Sequence, residues 1–180
     1  MNIEGEKAMN TKMIRIDRIL KGKIVLIVDD EKDVLDLLGE LLSMCKLDIA
    51  SSFEQAKELL ESKFYDIAVL DIMGVRGYEL LEIANSRNIP ALMLTAHALT
   101  EDNLKKSFEN GAAYYAPKDE INNIGLFIAD VLEAKEKNKN VFLKWFDRLG
   151  GFFDKKFGGT DWREKEKEFW EEKRKSFFWR

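Results

Sequence analysis

Two adjacent acids, Asp29 and Asp30, lie where the apolar run KIVLIVD ends, and a third, Asp71, ends DIAVLD. Thr95 closes PALMLT, and Lys118 follows AAYYA, three residues beyond Tyr115. Each side chain falls where a buried strand would give way to a loop. If the strands that carry them are neighbours, the side chains converge on one small pocket beyond the strand ends, where ligands bind in open parallel sheets. Three carboxylates that close together cannot all stay ionised unless a cation neutralises them. Oxygen donors with few other ligands suit Mg²⁺, which keeps several waters and often shares its site with a phosphate. A carboxylate can also act as a nucleophile in phosphoryl transfer and become an acyl phosphate. The ammonium of Lys118, the hydroxyl of Thr95 and the backbone N–H groups after Asp71 would then serve the equatorial oxygens.

Each of these residues has a plainer reading. Asp29 could cap the helix that follows it. Thr95 could be an ordinary β-branched strand residue, Tyr115 plain core, and Lys118 a solvated surface lysine. Glu31 reads first as part of a solvated helix start, although it borders the pocket. Gly77 is expected to shape a turn, and His97 to lie exposed in a loop. The clustering of three acids from two separate strands is what favours the chemical reading.

The elements that must position these groups alternate. KIVLIVD, LDIAS, DIAVLD, PALMLTA and AAYYA are short, apolar and often β-branched, as buried parallel strands are. Helical spacing separates them: Val34, Leu35, Leu38 and Leu42; Ala56, Leu59 and Leu60 behind a Ser52 cap; Tyr78, Leu81 and Ala84; Leu104 and Phe108 between Thr100 and Gly111; and Ile124 through Leu132. Five strand–helix units predict a doubly wound α/β domain with right-handed crossovers. Its expected bounds are residues 22–136, after an N-terminal tail, residues 1–21, in which Met13 to Leu20 could form a short helix.

Residues 137–180 differ in composition. From Asn138 onward there are 12 Lys and Arg against 8 Asp and Glu, a net of +4 in a chain of net −4, and all four tryptophans lie there. Val141, Phe142, Trp145, Phe146, Leu149, Phe152 and Phe153 recur at near-helical spacing, with an interruption expected at Gly150–Gly151. Asp161 and Glu164 suggest a capping pair for a final helix, along which Trp162 and Phe169, and Trp170 and Phe177, recur seven apart. Such a helical, aromatic-rich extension would fold back onto the domain or onto a second chain. Its interleaved basic and aromatic residues also suit a membrane surface. Mixed acids and the want of a helix-turn-helix pattern speak against nucleic acid.

Composition sets the remaining bounds. The longest run without a charge, Asn88 to Thr100, is too short to span a bilayer. The start, MNIEGEKAMN, carries acids where a signal peptide needs a basic and then an apolar stretch. Cys45 is the single cysteine and lies among leucines, so a packing role in a reducing, cytoplasmic setting is expected.

LIVDDE, VLDIM, MLTAH and GAAYYAPKD, in that order and spacing, resemble the receiver domain of two-component response regulators over about Lys23 to Lys135. The resemblance implies a flavodoxin-like (βα)₅ fold with strand order 2-1-3-4-5. It also implies that Asp71 accepts a phosphoryl group from a phosphohistidine on a sensor histidine kinase or phosphotransfer protein. Asp29, Asp30, Asp71 and the backbone carbonyl of Met73 would hold Mg²⁺, and Thr95 and Tyr115 would form a switch pair. A homodimer through the fourth and fifth helices of the domain, or through the extension, is a further expectation. Two features depart from the family pattern: the DIMGVRG loop is about two residues short, and the proline precedes Lys118 instead of following it. Two other functions remain in view, a degenerate receiver acting as an adaptor and a phosphohydrolase using Asp71. The second usually needs an acid two residues on, where this chain has Met73, so a non-enzymatic role is expected.

Overall fold

The computed structural model of the protein describes residues 2–176. The chain runs α1 (Ile3–Leu20), β1 (Ile24–Val28), α2 (Lys32–Leu41), β2 (Lys46–Ala50), α3 (Phe53–Ser62), β3 (Ile67–Leu70), α4 (Gly77–Ser86), β4 (Ala91–Thr95), α5 (Glu101–Glu109) and β5 (Tyr114–Pro117). A 3₁₀ turn (Lys118–Asn123) leads into α6 (Ile124–Glu136), and α7 (Val141–Lys156), α8 (Asp161–Lys165) and α9 (Lys167–Lys175) follow. All strand pairs are parallel, in the order β2-β1-β3-β4-β5. The doubly wound sheet is therefore as the alternating pattern predicts.

The reason is legible residue by residue. β3 and β4 are buried along their whole length, so their near-continuous apolar runs suit a sheet covered on both faces. Ser52 and Thr100 cap α3 and α5, each side chain accepting an N–H three residues on. Gly111 turns the chain after α5 with φ +87°, a conformation that favours glycine.

Three expectations about the termini need correcting. Residues 3–20 form one long helix, where the sequence suggested only Met13 to Leu20. Asn2 caps it by accepting the Gly5 N–H, and Glu4 and Glu6 favour its first turn. Met9, Met13 and Ile14 point outward, which smears the apolar period that would have revealed it. Arg15 ties this helix to α6 through Glu133. Second, α7 passes unbroken through Gly150–Gly151. A Cβ at position 150 would lie only 3.3 Å from the Arg163 guanidinium, so the glycine there admits a close neighbour instead of ending the helix. Third, the final helix is two, divided at Glu166. Asp161 and Glu164 stand inside the first turn of α8, and the Thr160 cap makes no side-chain bond. Phe177 lies outside the described residues.

The extension folds back onto its own domain. Phe142, Trp145, Leu149, Phe153, Trp162 and Trp170 join the same buried core as the sheet. Phe108 of α5 meets Phe142, Trp145 and Trp170 edge-on at 5.3, 4.8 and 6.2 Å between ring centroids. Burying one such side chain is worth about 1.5–3 kcal/mol, and edge-to-face geometry adds to it. The aromatic stripe that suggested a membrane surface is thus spent inside the molecule. No helix among the described residues is long and apolar enough to cross a membrane.

A buried ion pair fixes α7 to α6. Asp130 is fully buried and bonded by Arg148, with Lys144 Nζ 3.7 Å away and the Tyr114 hydroxyl at 3.5 Å. Removing one partner of such a pair strands a buried charge. Arg148→Ala should cost on the order of 2–3 kcal/mol, less than a full loss because Lys144 remains. Urea unfolding followed by tryptophan fluorescence would measure it, and an unchanged midpoint would show that Asp130 does not depend on Arg148.

Candidate functional site

Strand register creates the site. Val28 pairs with Leu70, so Asp29 and Asp71, the next residue of each strand, stand side by side at the carboxyl edge of the sheet. Asp71 N–H donates to the Val28 carbonyl at 3.0 Å and Asp29 N–H to the Ala50 carbonyl at 3.2 Å, which pins both exits. Thr95 pairs with Pro117, so Lys118 leaves the sheet at the same edge. Asp29, Asp71 and Lys118, from three different segments, meet there, and Thr95 ends β4 at the same edge.

Lys118 is the centre of the charge arrangement. Its Nζ lies 2.7 Å from Asp29 Oδ2, 2.9 Å from Glu31 Oε1 and 3.5 Å from Asp71 Oδ1. The proline before it does not displace it: Pro117 completes β5, and the lysine opens the 3₁₀ turn facing the acids. Burial would pull its ammonium down, but the bonds it donates to Asp29 and Glu31 and the Asp71 charge outweigh this and hold it up to about 12.

The acids respond to the same field. Burial, reinforced by the Asp29 charge, pushes the Asp71 carboxyl up to about 7 despite Lys118. Asp29 is also raised by burial, against its bonds from Lys118 and from the Glu31 N–H, which Asp29 Oδ1 accepts at 2.9 Å. The plainer reading of Asp29 is therefore partly true, since its carboxylate does order the turn into α2. Glu31, exposed, is lowered by its bond to Lys118.

Asp29, Asp30 and Glu31 present carboxylate oxygens within 4.8 Å of one another. This group includes Glu31, which the sequence ranked as a helix start, and it does not include Asp71. The signal that could have promoted Glu31 is its place as the third acid of the run DDE. The loop after Asp71 closes on the same acids. A Cβ at Gly74, whose φ is +81°, would collide with the Asp30 carboxylate, so this shortened loop lies directly against it. Gly77 is needed for close approach more than for a turn: it opens α4, and a Cβ there would run into the Asp71 carbonyl. Met73 sits in this loop with its side chain exposed. Hard oxygen donors from Asp29 and Asp30 beside a backbone loop fit Mg²⁺ by their chemistry. Asp71 would join them through its carboxylate, and Met73 through its carbonyl.

Thr95 and Tyr115 are joined through one residue. Ala98 N–H donates to Thr95 Oγ1 at 3.2 Å, and the Tyr115 hydroxyl donates to the Ala98 carbonyl. Both side chains are fully buried. His97, in the same loop, is exposed. Sequence reasoning missed Ala98, because its part is played by backbone atoms alone.

The response regulator receiver domain family matches residues 25–125, and the chain belongs to that family. It is 34% identical over 110 residues to the two-component response regulator ARR18 of Arabidopsis thaliana, covering 58% of this chain and 17% of that protein. It is likewise 34% identical over 99 residues to the transcriptional regulatory protein CpxR of Escherichia coli K12, covering 52% of this chain and 42% of that one. The chain thus spans less than half the length of both relatives. Among solved structures, a CheY-like receiver domain protein from Methanospirillum hungatei superposes with a TM-score of 0.54 at 26% identity, covering 63% of this chain and 98% of that one. A response regulator from Chloroflexus aurantiacus gives 0.56 at 26%, covering 63% and 99%.

The raised Asp71 carboxyl has a consequence for stability. In Mg²⁺-free buffer its ionised form opposes folding: the cost is absent below the ordinary carboxylate value of 3.8, grows as pH rises, and is complete above about 7. Asp71→Asn should therefore stabilise the fold by on the order of 1–2 kcal/mol at pH 8, after allowance for solvent screening. That gain should shrink through pH 7 to 4 and vanish below. Thermal unfolding of both forms across this range checks it, and a difference independent of pH would contradict the raised value.

Proposed function

We propose that Asp71 is a phosphoacceptor, taking its phosphoryl group from a phosphohistidine on a sensor histidine kinase or phosphotransfer protein in a Mg²⁺-dependent reaction in the cytoplasm. The observation that carries this reading is the placement of the Asp71 carboxylate beside Asp29 and within 3.5 Å of the Lys118 ammonium. In the transfer, an Asp71 carboxylate oxygen attacks phosphorus and forms an acyl phosphate. The P–N bond to the donor imidazole breaks, and its electron pair returns to the ring nitrogen, which is protonated from solvent. Mg²⁺ bound by Asp29, Asp30 and the Met73 carbonyl would neutralise the phosphoryl oxygens when present.

The chain's own residues supply the rest. Ionised Asp71 is the nucleophile, and Lys118 offers a positive charge to the incoming oxygens without changing protonation state, since it holds its proton to about pH 12. Thr95 Oγ1 accepts from Ala98 N–H, which leaves its own hydrogen free to donate to a phosphoryl oxygen. Such donors act by position and charge, as phosphoryl transfer requires. We read the site as an acceptor and not as a phosphohydrolase, because Met73, two residues beyond Asp71, has no proton to give a leaving group. An adaptor that never takes phosphate is the second reading; the short loop packed against Asp30 favours it.

Incubation with acetyl phosphate and Mg²⁺ should add one phosphoryl group by intact mass, and Asp71→Asn should take none. Lys118→Ala should slow the labelling by about 10- to 100-fold through the lost charge on the transferring oxygens. A wild-type mass left unmodified, with Mg²⁺ in excess, would select the adaptor.

A further inference from the structure

Nine large apolar side chains stand exposed among the described residues, and four of them, Ile3, Met9, Met13 and Ile14, belong to α1. From Ile3 to Ile14 every residue of that helix is exposed except Gly5, which is half-buried. Only the last part of α1 is seated. There Gly125 of α6 admits it: a Cβ at that glycine would lie 3.4 Å from the Leu20 side chain and 3.5 Å from that of Ile16. Met9, Met13, Ile16 and Leu20 recur at helical spacing. One apolar stripe is therefore covered at Leu20 and open at Met13 and Met9, which are 58% and 48% exposed. A helical stretch of fewer than about 12–15 residues is marginal in water without packing to support it.

Beside the open part of the stripe runs a groove of about 400 Å³, walled by Met9 and Met13 together with Leu41, Met44 and Leu126 of the domain. Methionine suits such a wall, because its unbranched thioether adapts to the shape it meets. The charges of α1 are divided along its length. Glu4 and Glu6 with Lys7 leave its beginning at −1, and Lys12, Arg15 and Arg18 with Asp17 leave its later part at +2. Two such helices packed antiparallel bring each acidic end against a basic one and oppose their dipoles. Packed parallel, they would set like charge against like. The α5 face offers no comparable apolar area, since the rings of α7 and α9 already cover Phe108 there.

We propose that the open stripe of α1 is an interface for a second copy of this chain. The two helices pack antiparallel about a two-fold axis near Thr11, with Met9 of each copy against Met13 of the other and over its groove. A two-fold contact of this kind is self-complementary, so one stripe serves as both surfaces. It covers four methionines in the pair and gives the bare length of α1 the packing it lacks in a single chain. Each α1 stays with its own domain, held by Arg15 to Glu133 and by Leu20 in the core. The contact involves none of the groups around Lys118, so the pairing holds whether or not Asp71 takes a phosphoryl group.

The test uses the full chain in sedimentation velocity, from low to high micromolar concentration. Wild type should pass from one to two chains per particle, and hydrogen exchange over residues 3–14 should slow as it does. Met9→Gln with Met13→Gln removes the stripe without touching the core and should weaken pairing by about 100-fold. Leu143→Gln, which removes an exposed apolar side chain of α7, should pair as wild type does. Charge decides the orientation. A chain carrying Glu4→Lys and Glu6→Lys, and another carrying Lys12→Glu and Arg18→Glu, should each self-associate poorly and pair when mixed. Fraying of α1 in either variant alone cannot make the mixture associate. A wild type of one chain at every concentration would overturn the proposal, and its co-flotation with vesicles of phosphatidylcholine and phosphatidylglycerol would then give the stripe to a membrane surface. Pairing that survives the double glutamine variant, or a mixture no more associated than its parts, would overturn it equally.

Discussion

Crowded negative charge is the constraint on which this structure turns. Asp29 and Asp71 are buried side by side because parallel register gives two neighbouring strands the same exit. Left alone, they would protonate or push the strands apart. One ammonium, from a segment nearly fifty residues further along, stands between them and Glu31. The fold answers that demand with position. β5 is paired so that the residue after its last rung faces the acids, and the chain then turns at once into a 3₁₀ segment. A cation bound in the pocket would share this load with Lys118, which makes the acid cluster tolerable to folding and useful to phosphate chemistry for one reason.

The fold was largely legible because burial on both sheet faces writes itself into sequence as continuous apolar runs, and helix caps write themselves as Ser52 and Thr100. The acids of the candidate site stood out for the same cause. Acids at the ends of such runs cannot be explained by burial, so Asp29, Asp30 and Asp71 stood out. Lys118 was found in spite of the proline before it, since what places it is the length of β5 and not the proline. Glu31 was undervalued because an acid at a helix start has an ordinary explanation, and only three dimensions reveal the lysine it meets. Ala98 left no trace at all, because backbone atoms carry no residue signature.

The terminal segments were harder to read for physical reasons. α1 turns part of its apolar residues outward, so its period is blurred even though Asn2 caps it well. In α7, two glycines read as a break because each costs a helix about 1 kcal/mol, yet the buried face of α7 carries the helix through both, and at Gly150 the missing side chain leaves room for Arg163. The aromatic stripe was visible, but nothing in its spacing could tell a membrane, a second chain or the domain itself as its partner. The deciding fact is complementarity: Phe108 and the main chain of β5 offer ring faces and a carbonyl at the spacing that α7 and α9 present.

Because the sheet and the last three helices share one apolar interior, this receiver is not an interchangeable cassette. Cutting it at the linker after α6 would bare Phe108, strand the buried Asp130 carboxylate and leave a β5 carbonyl without its donor. Any protein engineer grafting this receiver into another chain would have to carry the aromatic helices along with it.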